Sequence, residues 1–391
     1  MDSLTDGLLP KGCKAFGPGA SSGNVQKWLK LWLSSRGSLS VLLVLGGTRT
    51  AEVDGISAAG STPEARRYTA VADGELLLFG PNQNRFWPLP PLAAGVSPAL
   101  ISHVAVRWLE VEPMALVVGL SQIPPFPHLR IEPPYLGPAA CLTTGKSMGK
   151  LRVSALIKKG KAIGKKLKGP LVLCECVPGG TTTAQAVLTG LGIDVGDLIS
   201  SSLITPPIEI KKRVVSLGLK AAEITTFSSP EAVMAAVGDP FQAVSVGILL
   251  GAVESCQPVF LGGGSQMIAV LSLALASLSS KLQSRLIDLV ALGTTAWLLE
   301  EALDGAQDTF GLEGLMNRVS NHFSVKLLGL AAGLHFDLSI HQSLRDYESG
   351  YVKEGVGAGV LTFLAQLYGA PRLELVRLCD QALSDLHRSD H

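Results

Sequence analysis

The apolar positions of the chain gather in short unbroken runs that stop at glycine. "SVLLVLGGT" (40–48) is the first, "GPLVLCECVPGGTTT" (169–183) the second and "QPVFLGGGSQ" (257–266) the third. "LVALGTT" (289–295) is a weaker fourth, and "ALVVGL" (115–120) has the run without the full loop. Val- and Leu-rich runs of this length, without alternation, predict strands buried on both faces. Segments with helical spacing follow at 183–191, 208–217, 230–237, 241–254, 266–278 and 357–369. Strands alternating with helices predict an α/β fold with an open, mostly parallel sheet flanked by helices. Ligands of such sheets bind beyond the carboxyl ends of the strands, where the strand order reverses. Three Gly/Ser/Thr loops at strand ends therefore point to a common cleft.

Other stretches depart from this device. Residues 1–38 are rich in Gly and Ser around one helical piece, "NVQKWLKLWLSS". Trp28 and Trp32 are four apart, as are Leu29 and Leu33, which makes an apolar stripe. Docking onto the parent domain is the expected use of that stripe; a dimer contact is the alternative. Residues 80–140 hold "WPLPP", "IPPFP" and "EPPYLGP", rigid loops that could wall the cleft. "KKGKAIGKKLK" (158–168) holds six lysines and is expected to be a solvated face or loop, with a steering patch for a phosphorylated substrate as the alternative. Ser255 to Ser280 carries no charge and is long enough to suggest a membrane span. Pro258, Gly262-Gly263-Gly264, Ser265 and Gln266 interrupt it, so a strand, a glycine turn and a buried helix are predicted instead.

Composition narrows the class. With 391 residues, 47% hydrophobic and 17% charged, the chain can build one large α/β domain or two ordinary ones. Lys+Arg 33 against Asp+Glu 32 gives net +1, which argues against a nucleic-acid binder. The six cysteines (13, 141, 174, 176, 256 and 379) have no zinc spacing and read as reduced thiols. Cys174 and Cys176 flank Glu175 in a strand-like run, and opposite faces are expected for their side chains. No charged n-region precedes an apolar h-region, so no secretory signal and a cytoplasmic location are expected.

Two stretches carry candidate chemistry. The loop Pro178, Gly179, Gly180, Thr181, Thr182, Thr183 offers bare backbone at a helix start, a place that suits an anion. It is no nucleoside-triphosphate cradle, because Gly180 stands where that motif needs a lysine. A single phosphate suits it; a plain strand-to-helix turn is the other reading. The second stretch is "DYESGYVKEGVGAGVLTFLAQLYG" (346–369), in which Glu354 precedes a glycine-rich helix start. Its carboxylate is either a helix cap or a general base.

The order and wording of five segments resemble the nicotinate-nucleotide–dimethylbenzimidazole phosphoribosyltransferase family, and more closely a side branch of it. These are "LGGTRTAEVDGISAAGSTPEARRYTAVADGELL" (45–77), "CECVPGGTTTAQA" (174–186), "PPIEIKKRV" (206–214), "VGDPFQAVSVGILLGAVESCQPVFLGGGSQMIAVLSLALA" (237–276) and "KEGVGAG" (353–359). The resemblance covers roughly residues 40–370. It implies a Rossmann-like three-layer fold, with residues 39–369 as the transferase domain. A small helical domain would come from the chain ends, 1–38 and 370–391. It implies transfer of phosphoribosyl from nicotinate mononucleotide to an aromatic base, benzimidazole- or purine-like, with release of nicotinate. Glu354 would be the general base, with Glu175 as rival. The phosphate would meet Gly179, Gly180, Thr181, Thr182, Lys211, Gly262, Gly263, Gly264 and Ser265. Glu175, Ser57, Asp239, Thr294 and Thr295 would face base and ribose. No metal and no cofactor is implied, no membrane and no nucleic acid; a homodimer is.

The sequence departs from the family's pattern near the base. Lys353 replaces a glycine before the Glu and Val356 a serine, Gly262 and Gly264 stand where better-known members have an Asp and an aromatic, and "LGTTAWLL" (292–299) replaces a His-Ser-Ala-Glu stretch. Two rival functions remain. One is a non-catalytic nucleotide- or base-binding homologue. The other is a nucleotide-dependent oxidoreductase, ranked low because no strict G-x-G-x-x-G follows a strand.

Overall fold

The structure, a computed structural model, describes residues 7–57, 59–81, 85–195, 197–201, 203, 207–301 and 311–389. Pro206 of the "PPIEIKKRV" segment and the extreme chain ends, 1–6 and 390–391, lie outside the described residues.

The glycine-terminated runs are strands. β1 (Lys14–Phe16), β2 (Ser40–Gly46), β3 (Met114–Val118), β4 (Leu129–Arg130), β5 (Leu171–Cys176), β6 (Val259–Gly262), β7 (Val290–Thr294) and β8 (Gly329–Ala331) form one sheet. Its order is β1-β8-β7-β6-β5-β2-β3-β4. Every pair is parallel except β1 with β8. The chain builds outward from β2 to β3 and β4, then returns to the other side of β2 and builds β5 to β8. The order therefore reverses between β2 and β5, where Ser40 to Leu45 run beside Leu171 to Cys176.

Strand side chains alternate between two apolar layers, as the period of 2 requires. Leu171 and Leu173 enter the layer of the helices Lys150–Lys166, Gly180–Gly190, Pro240–Glu254 and Ser265–Ala276. Val172, Cys174 and Cys176 enter the layer of Ser22–Leu33, Thr69–Phe79, Ala99–Leu109, Ala358–Leu367 and Arg372–Ser389. Cys174 and Cys176 thus share a face, contrary to the expectation above; residues two apart on a strand do, and Glu175 is the one that points the other way. All six cysteines are free.

The uncharged tract resolves into β6, a glycine turn and the Ser265–Ala276 helix, which is buried all round. No helix among the described residues is long and apolar enough to cross a membrane. The Trp28/Trp32 stripe docks on the sheet: both rings pack on Phe260 of β6, with centroids 5.9 and 5.2 Å away. β1 closes the sheet edge, and the Arg372–Ser389 helix buries Leu375, Cys379, Leu383 and Leu386 in the same layer.

Five of the six lysines of the run lie in the Lys150–Lys166 helix and Lys168 just beyond it, a solvated face with a glycine seam behind it. Lys161 and Lys165 pair with Glu254. Gly160 and Gly164 press on the Pro240–Glu254 helix so closely that an added Cβ would stand 2.1 Å from Val244 O and 2.2 Å from Ile248 O. Gly247 and Gly251 return the contact, with Cβ positions 2.2 and 2.3 Å from Ile157 O and Lys161 O. Only glycine allows two helix backbones to meet at that distance.

Candidate active site

The cleft opens where the strand order reverses, as the fold requires. It has a volume of about 290 Å³. Ser57 borders it from the segment after β2, and Glu175 to Thr181 from the end of β5 and the loop beyond. Glu354, Gly355 and Val356 form another side. Leu89, Pro90, Leu92, Val96 and Pro98 supply an apolar wall, so part of the proline-rich segment does cover the cleft. A smaller chamber of about 60 Å³ adjoins it, sharing Glu175, Thr181, Val352 and Glu354 and adding Ser200, Ser201, Gly264 and Ser265.

Glu354 is held by four donors. Oε2 accepts from the Thr295 N–H at 2.8 Å and the Thr294 hydroxyl at 3.1 Å. Oε1 accepts from the N–H of Gly355 at 3.0 Å and of Gly359 at 3.2 Å. Gly359 lies in the first turn of the Ala358–Leu367 helix, so the carboxylate caps that helix and faces the cleft at once. Burial raises its pKa to about 7, against the pull of these four bonds. The cradle depends on bare backbone: a Cβ at Gly359 would sit 2.5 Å from Oε2.

Glu175 has one such donor, the Gly264 N–H at 3.3 Å on Oε1. Burial raises its pKa to about 8, and the charges of Glu354 and Asp239 add to the rise. The two carboxylates repel, and the less supported one keeps its proton. Four donors against one decide the order: Glu354 ionises first. Gly263 has φ 153°, and a Cβ there would lie 2.3 Å from Glu175 Oε1.

Two helix N-termini converge on the small chamber. Gly179, with φ 79°, turns the chain straight into the Gly180–Gly190 helix, which therefore starts three residues before the apolar spacing predicts. Gly264 caps the Ser265–Ala276 helix, and Thr181 and Ser265 line the chamber. The positive helix ends favour an anion there. Behind the turns, the fully buried Asp239 accepts from the Thr183 hydroxyl at 2.6 Å, Gln266 Nε2 at 2.8 Å and the Gln242 N–H at 2.9 Å. Gln242 in turn donates to Gln266 at 2.9 Å. This network ties both helix starts to the Pro240–Glu254 helix.

Two lysines hold the rim. Lys211 is buried, donates to Ser200 O at 2.8 Å, and burial lowers its pKa to about 7. Lys353 donates to Ser201 O at 2.7 Å and Leu203 O at 2.9 Å, and pairs with Glu301 at 2.8 Å.

No family model matches the chain. It is 57% identical to a UPF0284 protein of Prochlorococcus marinus (strain MIT 9313) over 378 residues, 97% of this chain and 94% of the relative. It is 52% identical to a UPF0284 protein of Parasynechococcus marenigrum (strain WH8102), covering 97% and 95%. The chain belongs to the UPF0284 family. Among solved structures it is similar to the nicotinate-nucleotide-dimethylbenzimidazole phosphoribosyltransferase from Thermus thermophilus, with TM-score 0.55 and 17% identity, over 90% of this chain and 84% of that one. That likeness establishes the fold.

In the UPF0284 protein the residues singled out in the sequence fall into three groups. Ser57, Glu175, Gly179, Gly180, Thr181, Glu354, Gly264 and Ser265 line the two chambers. Thr294, Thr295 and Gly263 stand one layer back, against the two carboxylates. Asp239, Thr182, Gly262 and Lys211 line neither chamber. Gly262 packs on Val360, Asp239 is the hub behind the turns, and Lys211 points to the Ser200 carbonyl. The sequence reading missed Gln242 and Gln266, the anchoring role of Lys353, and Asp73, which lines the large chamber. Asp73 had a legible signal: a carboxylate inside the apolar helix "TAVADGELLLF".

Proposed function

We propose that this UPF0284 protein transfers the phosphoribosyl group of nicotinate mononucleotide to an aromatic base, giving an α-riboside phosphate of the kind used as a cobamide lower ligand. The observation that carries the reading is Glu354, a four-donor carboxylate whose pKa is raised to about 7, facing an apolar chamber beside two converging helix N-termini. A general base works best with a pKa near the working pH. In the reaction, the base nitrogen attacks C1′ of the ribose from the face opposite nicotinate. The C1′–N bond to nicotinate breaks and its electron pair leaves with nicotinate. The N–H proton of the attacking base goes to Glu354. The small chamber takes the phosphate by helix dipoles, backbone N–H groups and hydroxyls. Holding both reactants in one cleft lowers the entropic cost of their meeting.

Activity in the cytoplasm as a homodimer, without metal or cofactor, belongs to the same proposal. The test is release of free nicotinate when mononucleotide and a panel of bases are added to the purified chain. Tight binding of both compounds without release would favour the non-catalytic reading instead.

A further inference from the structure

The helix Thr69–Phe79 buries two carboxylates, Asp73 and Glu75. Glu75 is matched by backbone: it accepts from the N–H of Phe86 at 2.9 Å and of Trp87 at 3.2 Å. Asp73 is less well matched. It is 6% exposed, and what exposure it has faces the large chamber. Oδ1 accepts from the Ser97 hydroxyl at 2.6 Å, and Ser97 Oγ accepts from the Ala99 N–H at 3.1 Å. Among the described residues Oδ2 meets only the Cys176 thiol, at 3.6 Å. A thiol is a weak donor. Among the described residues no Lys, Arg or His forms an ion pair with Asp73.

Burial raises the Asp73 pKa to about 6, so the group is still mostly ionised at neutral pH. A buried carboxylate whose second oxygen has only a weak thiol donor is costly unless a stronger donor reaches it. Holding Ser97 needs one acceptor atom, which an amide would provide without the charge. The Asp73 carboxylate therefore has a capacity that the fold leaves unused, and that capacity faces a chamber walled by Leu89, Pro90, Leu92 and Val96.

We infer that Asp73 is a specificity-determining residue of the acceptor-base site: its Oδ2 accepts an N–H from the edge of the bound heteroaromatic ring. The favoured acceptors then carry an amino or second N–H donor besides the nitrogen that reacts. A ring that offers only carbon at that edge leaves the carboxylate desolvated and unpaired, and sites built around such a bond reject the analogue that lacks it. The apolar wall accepts any planar ring; Asp73 selects among them. The inference rests on the transferase reading for the kind of molecule in the chamber, but it concerns binding and can be measured without turnover.

The experiment compares two pairs of bases that differ by one amino group: adenine against purine, and 4-aminobenzimidazole against benzimidazole. Their affinities for the full chain are measured by calorimetry, for wild type, Asp73→Asn and Asp73→Leu. In wild type the amino member of at least one pair binds about tenfold or more tightly than its partner. Asp73→Leu brings that pair within about twofold while the base without the amino group binds as well as before or better, a pattern that general damage to the cleft would not give. If Asp73→Leu does not fold, Asp73→Asn serves, and the preference must fall at least about threefold. Equal affinities within both pairs in wild type, a preference that survives the substitutions, or no binding of any of the four overturns the inference. Nicotinate release is followed in parallel: its absence beside an intact Asp73-dependent preference would defeat the transferase reading and leave this one standing.

Discussion

Val356 donates its backbone N–H to the carbonyl oxygen of Glu175 at 2.9 Å. That bond fastens the loop carrying Glu354 to the end of β5, so two carboxylates far apart in sequence share one cleft. The loop reaches this pose through left-handed backbone at Val352 (φ 63°), Lys353 (φ 67°) and Val356 (φ 55°). Such a conformation costs about 1–3 kcal/mol per residue and persists only where surrounding bonds enforce it. The Val356 bond, the Lys353 anchors and the Glu354 cradle are those bonds.

The carboxylates set a pH profile of opposite sign for rate and for stability. Transfer at limiting substrate should rise as pH passes through about 7 and then level off, since Glu354 must be ionised to take a proton. Stability should move the other way. Glu354 and Glu175 have folded pKa values of about 7 and about 8 against 4.5 when exposed. The folded state then holds protons that the unfolded chain releases, so this contribution is fully present below about 4.5 and is lost as pH rises through 7 to 8. Thermal unfolding of Glu175→Gln should therefore show a Tm higher than wild type at pH 8, by on the order of a few °C, and little difference at pH 4. A Tm gap of the same size at both pH values would contradict the account.

Lys353→Met should cost about 3–5 kcal/mol of stability, because it removes the ion-pair partner of the buried Glu301 carboxylate and takes the ammonium from the Ser201 and Leu203 carbonyls, leaving them only long bonds from serine hydroxyls. Denaturant unfolding measures it. A cost under about 1 kcal/mol would mean the tie is no better than a surface pair.

Gly160→Ala should destabilise by on the order of 1–3 kcal/mol, since its Cβ would meet Val244 O at 2.1 Å and force two helices apart. Gly23→Ala is the control: nothing lies within 4 Å of its Cβ, and the change should be neutral or stabilising by about 1 kcal/mol. Equal behaviour of the two variants in chemical denaturation would refute the close contact.

Long-range physics decides which of these features a reader of the sequence can see. β2, β3, β5, β6 and β7 are legible because strands buried on both faces are almost wholly apolar, and a glycine inside or shortly after each run marks its end. β1 and β8 have three residues each, too short for any period to register. The Lys150–Lys166 helix is hidden because its inner face is made partly of Gly160 and Gly164, which read as breaks although they are the contact. Glu354 stands out through the glycines around it. Its four donors do not, since Thr294 and Thr295 come from another strand end. Lys211, which the resemblance sets at the phosphate, meets the Ser200 carbonyl of the small chamber through its Nζ, a partner that no local pattern announces.

Single-turnover release of nicotinate by the Glu354→Gln and Glu175→Gln variants, each first shown to be folded and to bind mononucleotide, tests the central claim most directly. Gln keeps size and hydrogen bonding but takes no proton near neutral pH. Glu354→Gln should lose about 10²–10⁴-fold in the transfer step while mononucleotide affinity stays near wild type. Glu175→Gln should retain most of the rate, because Glu175 holds its proton at neutral pH. Near-normal release by the Glu354 variant beside a dead Glu175 variant would contradict the account and move the general base to Glu175.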